Sequence, residues 1–224
     1  MKRRLIFAFF LLTTSFSCGE TDPGNLPVLY TCTSELGCGN GENVPYCTWG
    51  YKFGDNNPYT PSGPNIPGPS TKATLISYRF MAPGMEFKTS LQNKAVSIQF
   101  NEESKNEIRK AISEWSSVAN ITFIEKSSSE ATAIAIAKTL AFANGGVVGG
   151  LGYPNFTSSS CQEIAGLLVV NSKFKITYSI LLHEMGHVLG LGHVTSQNVM
   201  NPTYSIDHLQ SGDIKGIQSI YGSR

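Results

Sequence analysis

Residues 178–193 restrict what this chain can fold into more than any other stretch. Tyr178, Leu181, Leu182, Met185, Val188 and Leu189 recur at helical spacing and form one apolar stripe, so the segment reads as an amphipathic helix laid on a core. His183 and His187 are four residues apart and stand one turn above the other on a single face. At about 100° per residue that face points away from the stripe, so the helix is expected to bury its back and open its imidazoles to a cleft. His193 would rotate towards the buried side if the helix ran on. The chain must therefore turn after Leu189; Gly190 can take a left-handed C-cap at little cost, and Gly192 adds slack. Three neutral imidazoles then converge. Zn²⁺ suits such a set, since it takes nitrogen ligands at about 2.0–2.1 Å in tetrahedral geometry and leaves a position for water. Glu184, between the histidines, can act as general base on that water. The plainer reading, a buried helix with incidental histidines, leaves the glycine and the third histidine at their regular spacing unexplained.

The pattern His183-Glu184-Met185-Gly186-His187-Val188-Leu189-Gly190-Leu191-Gly192-His193 is similar to that of the metzincin metallopeptidases. Asn198-Val199-Met200-Asn201-Pro202-Thr203-Tyr204 resembles the Met-turn of the matrixins, the matrix-metalloproteinase branch, and residues 209–222 resemble that branch's terminal helix. The resemblance covers residues 74–224, with its specific motifs all after Leu182. Val194 follows the third histidine, unlike the glutamate, aspartate or proline of the astacin, reprolysin and serralysin patterns.

The resemblance implies an α+β catalytic domain. It has a twisted mixed sheet with a helix packed on it, and the active-site helix and a C-terminal helix lie below the cleft. It also implies a zinc-dependent endopeptidase that hydrolyses peptide bonds of extracellular proteins through a zinc-bound water, with Glu184 as base. Met200 is then the apolar floor beneath the metal, and Pro202 and Tyr204 line the pocket for the residue after the cut bond. Matrixins hold a second, structural zinc partly through a histidine in the glycine-rich segment, where this chain has Gly150. Of four histidines in all, three are committed and His208 lies beyond the Met-turn, so one catalytic zinc is expected. Calcium stays open, because backbone oxygens can supply its ligands.

Lys2, Arg3 and Arg4 precede an apolar run at residues 5–12, too short to span a bilayer, and Cys18 follows the small Ser17. Residues 1–17 read as a signal peptide and Cys18 as the lipidated N-terminus of a bacterial lipoprotein, with ordinary secretion as the alternative. The expected address is the cell envelope, outer membrane or surface. Cys32, Cys38, Cys47 and Cys161 then remain, an even number that implies two disulfides in any of three connectivities. A competing role for Cys47 is a cysteine switch, its thiolate filling the metal's open position. Removing the three signal-peptide cations from 17 basic residues leaves 14 against 16 acidic, about −2, with no basic patch for nucleic acid. Partners are expected to be protein or peptide substrates, with membrane reached only through the lipid at Cys18, and the chain to be a monomer.

Residues 18–71, rich in Gly, Pro and Cys, read as an N-terminal segment and linker, and residues 72–224 as the catalytic domain. Trp49, Tyr51 and Phe53 alternate like a strand or an anchor, which would start the folded unit near Val44. Strands are expected at 74–81, 96–100, 121–124, 133–137 and 163–170. Asn101 caps a helix that starts with Glu102 and Glu103 and buries Ile108, Ala111, Ile112 and Trp115. The glycine-rich run 145–154 reads either as a flexible loop or, by the resemblance, as the edge strand on which an extended substrate lies. Ser172 or Thr177 caps the histidine helix, and Ile214, Ile217, Ile220 and Tyr221 give the last helix its packing face. The alternative to a peptidase is an envelope-anchored binding or adhesion module that keeps zinc without catalysis; such a site has no need of Glu184.

Overall fold

The structure is a computed structural model that describes residues 45–49, 52–54, 72–89, 92–140, 150–157, 162–203 and 205–224. Strands β1 (Lys52–Phe53), β2 (Thr74–Phe80), β5 (Ile121–Glu125), β6 (Ile134–Thr139) and β8 (Gln162–Asn171) lie in the order β1-β8-β6-β2-β5 and are all parallel. Strand β7 (Gly150–Thr157) pairs antiparallel with β8, which makes the six-stranded sheet mixed. This is the α+β architecture expected from the sequence. In β2 the alternation is clean: Ile76, Tyr78 and Phe80 are buried while Leu75 is exposed. Around the middle of β8, Leu168, Val169 and Val170 are all buried, as a strand covered on both faces requires.

Helix α1 (Glu102–Val118) starts where Asn101 Oδ1 accepts from the Ser104 N–H at 3.1 Å, with Glu102 and Glu103 at the positive end of its dipole. It buries Ile108, Ala111, Ile112 and Trp115, the stripe read from the sequence. Trp115 is fully buried and donates from Nε1 to Leu182 O of α2 (Tyr178–Val188) at 3.1 Å, locking the two helices together. Helix α3 (Ser211–Tyr221) buries Ile217, Ile220 and Tyr221 in the same core, which also holds Phe53 and Cys47. The short segment around residues 45–53 is therefore part of the folded unit.

The other face of the sheet is covered by a hairpin, β3 (Glu86–Thr89) and β4 (Gln92–Val96), through Met81, Phe87, Ala95, Ala137 and Val169. The sequence reading missed this hairpin and placed a strand at 96–100 instead. Residues 97–100 are extended but lie outside any strand. Their amides bond singly, Ser97 N to Met85 O at 2.8 Å and Ile98 N to Lys138 O at 2.7 Å, and so stitch the hairpin to the sheet. Among the described residues, no helix is long and apolar enough to cross a membrane.

Candidate metal centre

Helix α2 opens at Thr177, whose Oγ1 accepts from the Ile180 N–H; Ser172 instead donates to Thr139 O. It ends where Gly190 takes φ 102°, the conformation expected of the residue that turns the chain back. The turn brings the three imidazoles together. The Nε2 atoms of His183 and His193 are 3.1 Å apart, those of His187 and His183 3.1 Å, and those of His187 and His193 3.0 Å.

Two of the rings are fixed from behind. His183 Nδ1 lies 2.7 Å from Val199 O and His187 Nδ1 2.8 Å from Leu191 O. A carbonyl can only accept, so both Nδ1 atoms carry the proton and both Nε2 atoms present lone pairs. Burial, acting first, depresses the affinity of all three rings for a second proton; His193 falls to about 4, with the His183 charge as the next cause. With His193 Nε2 beside those two acceptors, the three nitrogens surround a common point at which a cation can sit. The separations come within a few tenths of an ångström of the edge, about 3.3 Å, of a tetrahedron built on Zn–N bonds of 2.0–2.1 Å. The donor set fits zinc.

The helix is less open than its pattern suggests. His187 and Glu184 are buried, and only His183 and His193 reach solvent appreciably. The cause is β7, which lies directly on α2. A Cβ at Gly152 would stand 2.1 Å from Glu184 O and 3.1 Å from His187 Cβ, so only glycine lets the strand approach. The backbone that this glycine admits is that of the chain's own helix. The Gly152 N–H donates to Glu184 Oε2 at 2.7 Å. Burial pushes the Glu184 carboxyl up to about 8, against the pull of that N–H.

The loop after His193 supports the centre from below. Met200 is buried with Sδ over Gly186, where a Cβ would meet it at 2.3 Å, and Gly186 also faces Trp115. Asp213, on the first turn of α3, accepts from Val199 N at 2.9 Å, Met200 N at 3.2 Å and Gln210 N at 2.8 Å. It thereby holds the peptide whose carbonyl orients His183. Sequence reasoning did not select Asp213, Val199, Leu191 or Gly152. The signal for Asp213 was the capping box that Gln210 and Asp213 form; the carbonyls leave none. Pro202 is exposed in the turn beyond Met200, and Tyr204 lies outside the described residues.

Gly192 has a role other than slack. Its φ is ordinary, and its missing side chain makes room for Cys47 Sγ and Trp49 Nε1, which a Cβ would meet at 2.4 and 2.6 Å. Trp49 stacks on His187, ring centroids 4.9 Å apart and planes 4° from parallel. Cys47 is disulfide-bonded, so it has no thiolate to offer as a switch; the other cysteines lie outside the described residues.

With this geometry established, comparison with known proteins adds a likeness over part of the chain. The family model described as Matrixin matches residues 159–222, the part that carries α2, the turn at Met200 and α3. Matrilysin of Rattus norvegicus is 49% identical over 20% of this chain and 19% of its own length. Matrix metalloproteinase-20 of Homo sapiens is 43% identical over 21% of this chain and 11% of its own. Metalloprotease AprA of Pseudomonas entomophila (strain L48) is 29% identical over 63% of this chain and 30% of its own. The chain thus spans less than a third of the length of each of these relatives.

Proposed function

We propose that this chain is a zinc-dependent endopeptidase that cuts peptide bonds of proteins outside the cytoplasm, with His183, His187 and His193 as metal ligands and Glu184 as general base. The observation that carries the reading is the paired fixation of the site. Three Nε2 atoms lie within 3.1 Å of one another, and on the helix that carries two of them a buried carboxylate is aimed by a backbone N–H. Zinc supplies a Lewis acid there, acidifying water and polarising a peptide carbonyl.

The protein's own groups do the rest. Glu184, desolvated and therefore a stronger base than an exposed carboxylate once ionised, takes a proton from the attacking water and returns it to the departing amine nitrogen. Gly152 keeps Oε2 in place, so the other carboxylate oxygen is the one free to move the proton. Leu191 O and Val199 O hold their imidazoles in the tautomer that offers Nε2. Strand β7 has β8 as its partner among the described strands, and its other edge suits an extended peptide added as a further strand. Met200 supports the centre, and Pro202 and Tyr204 are assigned to the pocket for the residue after the cut bond. The disulfide at Cys47 favours an oxidising compartment, in keeping with export through a signal peptide at 1–17 and a lipid anchor at Cys18.

The test is Glu184→Gln. It should leave one zinc per chain and lower cleavage of casein by at least about a thousandfold, in line with the loss of a general base. Wild-type activity should vanish with a chelator and return with zinc. Cleavage that survives the substitution unchanged overturns the mechanism, and a wild type that holds zinc but cleaves nothing favours the zinc-keeping binding module.

A further inference from the structure

The segment that precedes the sheet does more than complete the core, and this inference rests on the metal site proposed above. Two hydrogen bonds, which together make an antiparallel bridge, tie it to the loop carrying the third histidine. Trp49 N donates to Gly190 O at 2.8 Å and Gly192 N donates to Cys47 O at 2.9 Å, so that Thr48 stands opposite Leu191. Beyond it, Asn198 Nδ2 donates to Pro45 O at 3.2 Å, and Gly212 leaves space for that same carbonyl. Cys47 is buried to 1% exposure and covalently held by its disulfide. A piece of chain more than a hundred residues away in sequence is thus fixed against the centre, and its indole lies flat on one imidazole.

We propose that Trp49 is a positioning residue for the metal centre: its indole face holds the His187 ring in the plane that presents Nε2 to the ion and favours the imidazole once it carries the ion's charge. A histidine ligand has two torsions to fix. The bond from Nδ1 to Leu191 O restrains the direction of the ring, and the stack restrains its rotation about that direction. An imidazole bound to a divalent cation is electron-poor, and the indole is the aromatic face best able to stabilise it. The 4.9 Å centroid distance and 4° tilt are those of an offset parallel stack, the arrangement that aromatic pairs favour. Trp115, the other tryptophan, has a different duty, since its indole is fully buried and bonded to Leu182 O.

The experiment compares the full chain with Trp49→Phe and Trp49→Leu. Co²⁺ affinity is measured by competition with a chelator, alongside the ligand-field absorption of the Co²⁺ form. The Phe variant, with a smaller aromatic face, should bind about threefold more weakly, and the Leu variant, with apolar volume but no face, about tenfold or more. The Co²⁺ bands should shift in the same order, which loss of packing alone would not produce. Co²⁺ should also quench part of the tryptophan emission in the wild type, and that part should be missing in Trp49→Phe. Equal affinity and identical bands in all three proteins overturn the proposal. If the Leu variant lacks a cooperative melt, the Phe variant decides by the same two readouts. A wild-type protein that takes up neither Co²⁺ nor Zn²⁺ would instead sink the reading of the site itself. One that binds, cleaves and ignores position 49 sinks this inference alone.

Discussion

At the scale of single residues, the centre depends as much on what one glycine omits as on what the histidines supply. Gly152 and Gly150 both face α2, but differently. A Cβ at Gly150 would press at 3.2 Å on Glu184 Cγ and Ile180 Cγ2, atoms of side chains that can yield. At Gly152 it would meet the backbone oxygen of Glu184 at 2.1 Å, and nothing there can give without moving the strand. Gly152→Ala is therefore expected to cost about 1–3 kcal/mol of stability, as overpacking does. By breaking the bond from Gly152 N to Glu184 Oε2, it should lower kcat/KM about a hundredfold, as a small misplacement of a catalytic group can. Metal content should stay at one ion per chain, because β7 contributes no imidazole. Gly150→Ala is the control and should stay much closer to the wild type; equal damage from both would refute the distinction. The sequence showed a glycine-rich run, but not that a close approach to the helix falls on Gly152. That depends on the register of β7 against β8, which pairs Gly152 with Leu168.

At the scale of elements, helix α2 was legible because its information is local: the stripe, the paired histidines and the turn glycine all lie within 16 residues. The same holds for α1, whose cap and buried face follow directly from residues 101–115. What holds the centre from outside was not legible, because contacts between elements have no spacing rule. Asp213 on α3 reaches back to Val199 and Met200, and Trp49 reaches forward to His187. The hairpin β3–β4 also escaped notice, since Lys88, Gln92, Asn93 and Lys94 dilute its alternation. For Asp213 the consequence can be measured. The carboxylate is buried and accepts three backbone N–H bonds. Asp213→Asn turns one acceptor oxygen into an N–H donor that faces donors, leaving buried groups unsatisfied at a cost of roughly 1–3 kcal/mol. It should also weaken zinc binding about tenfold, because Val199 O loses its hold on His183. Chemical denaturation and chelator competition read the two effects separately; a variant with wild-type zinc affinity would show that α3 supports the fold without supporting the centre.

At the scale of the whole molecule, the centre makes the metal-free protein an uneasy compromise, and pH exposes it. The three histidines are depressed on folding, so below about pH 6.5 the unfolded chain binds protons that the folded one refuses, and stability falls as pH drops towards 4. Glu184 acts in the opposite sense. Its carboxyl is raised from 4.5 to about 8, so between those values the folded protein holds a proton the unfolded chain has lost, and stability falls as pH rises. Asp213 is raised as well and adds to that slope, whereas Tyr78 and Tyr178, also raised, titrate only far above neutrality. Three imidazoles against two carboxyls decide the acidic side, and Glu184 decides the other. Metal-free protein should thus be most stable near pH 6.5 and lose on the order of 1–2 kcal/mol by pH 8.5. Glu184→Gln, which keeps an acceptor for the Gly152 N–H without a charge, should flatten the alkaline decline and leave the acidic one intact. Zinc binds only the folded form and only neutral imidazoles, so its stabilisation at pH 7.5, about 2.7 kcal/mol at a hundred times Kd, should shrink as the pH is lowered towards 4. Urea melts of both proteins from pH 4 to 9, with zinc or with chelator, give the profile. An alkaline decline that persists in the Gln variant would show that Glu184 is not the group responsible, and that its carboxylate is better solvated than its place beneath β7 implies.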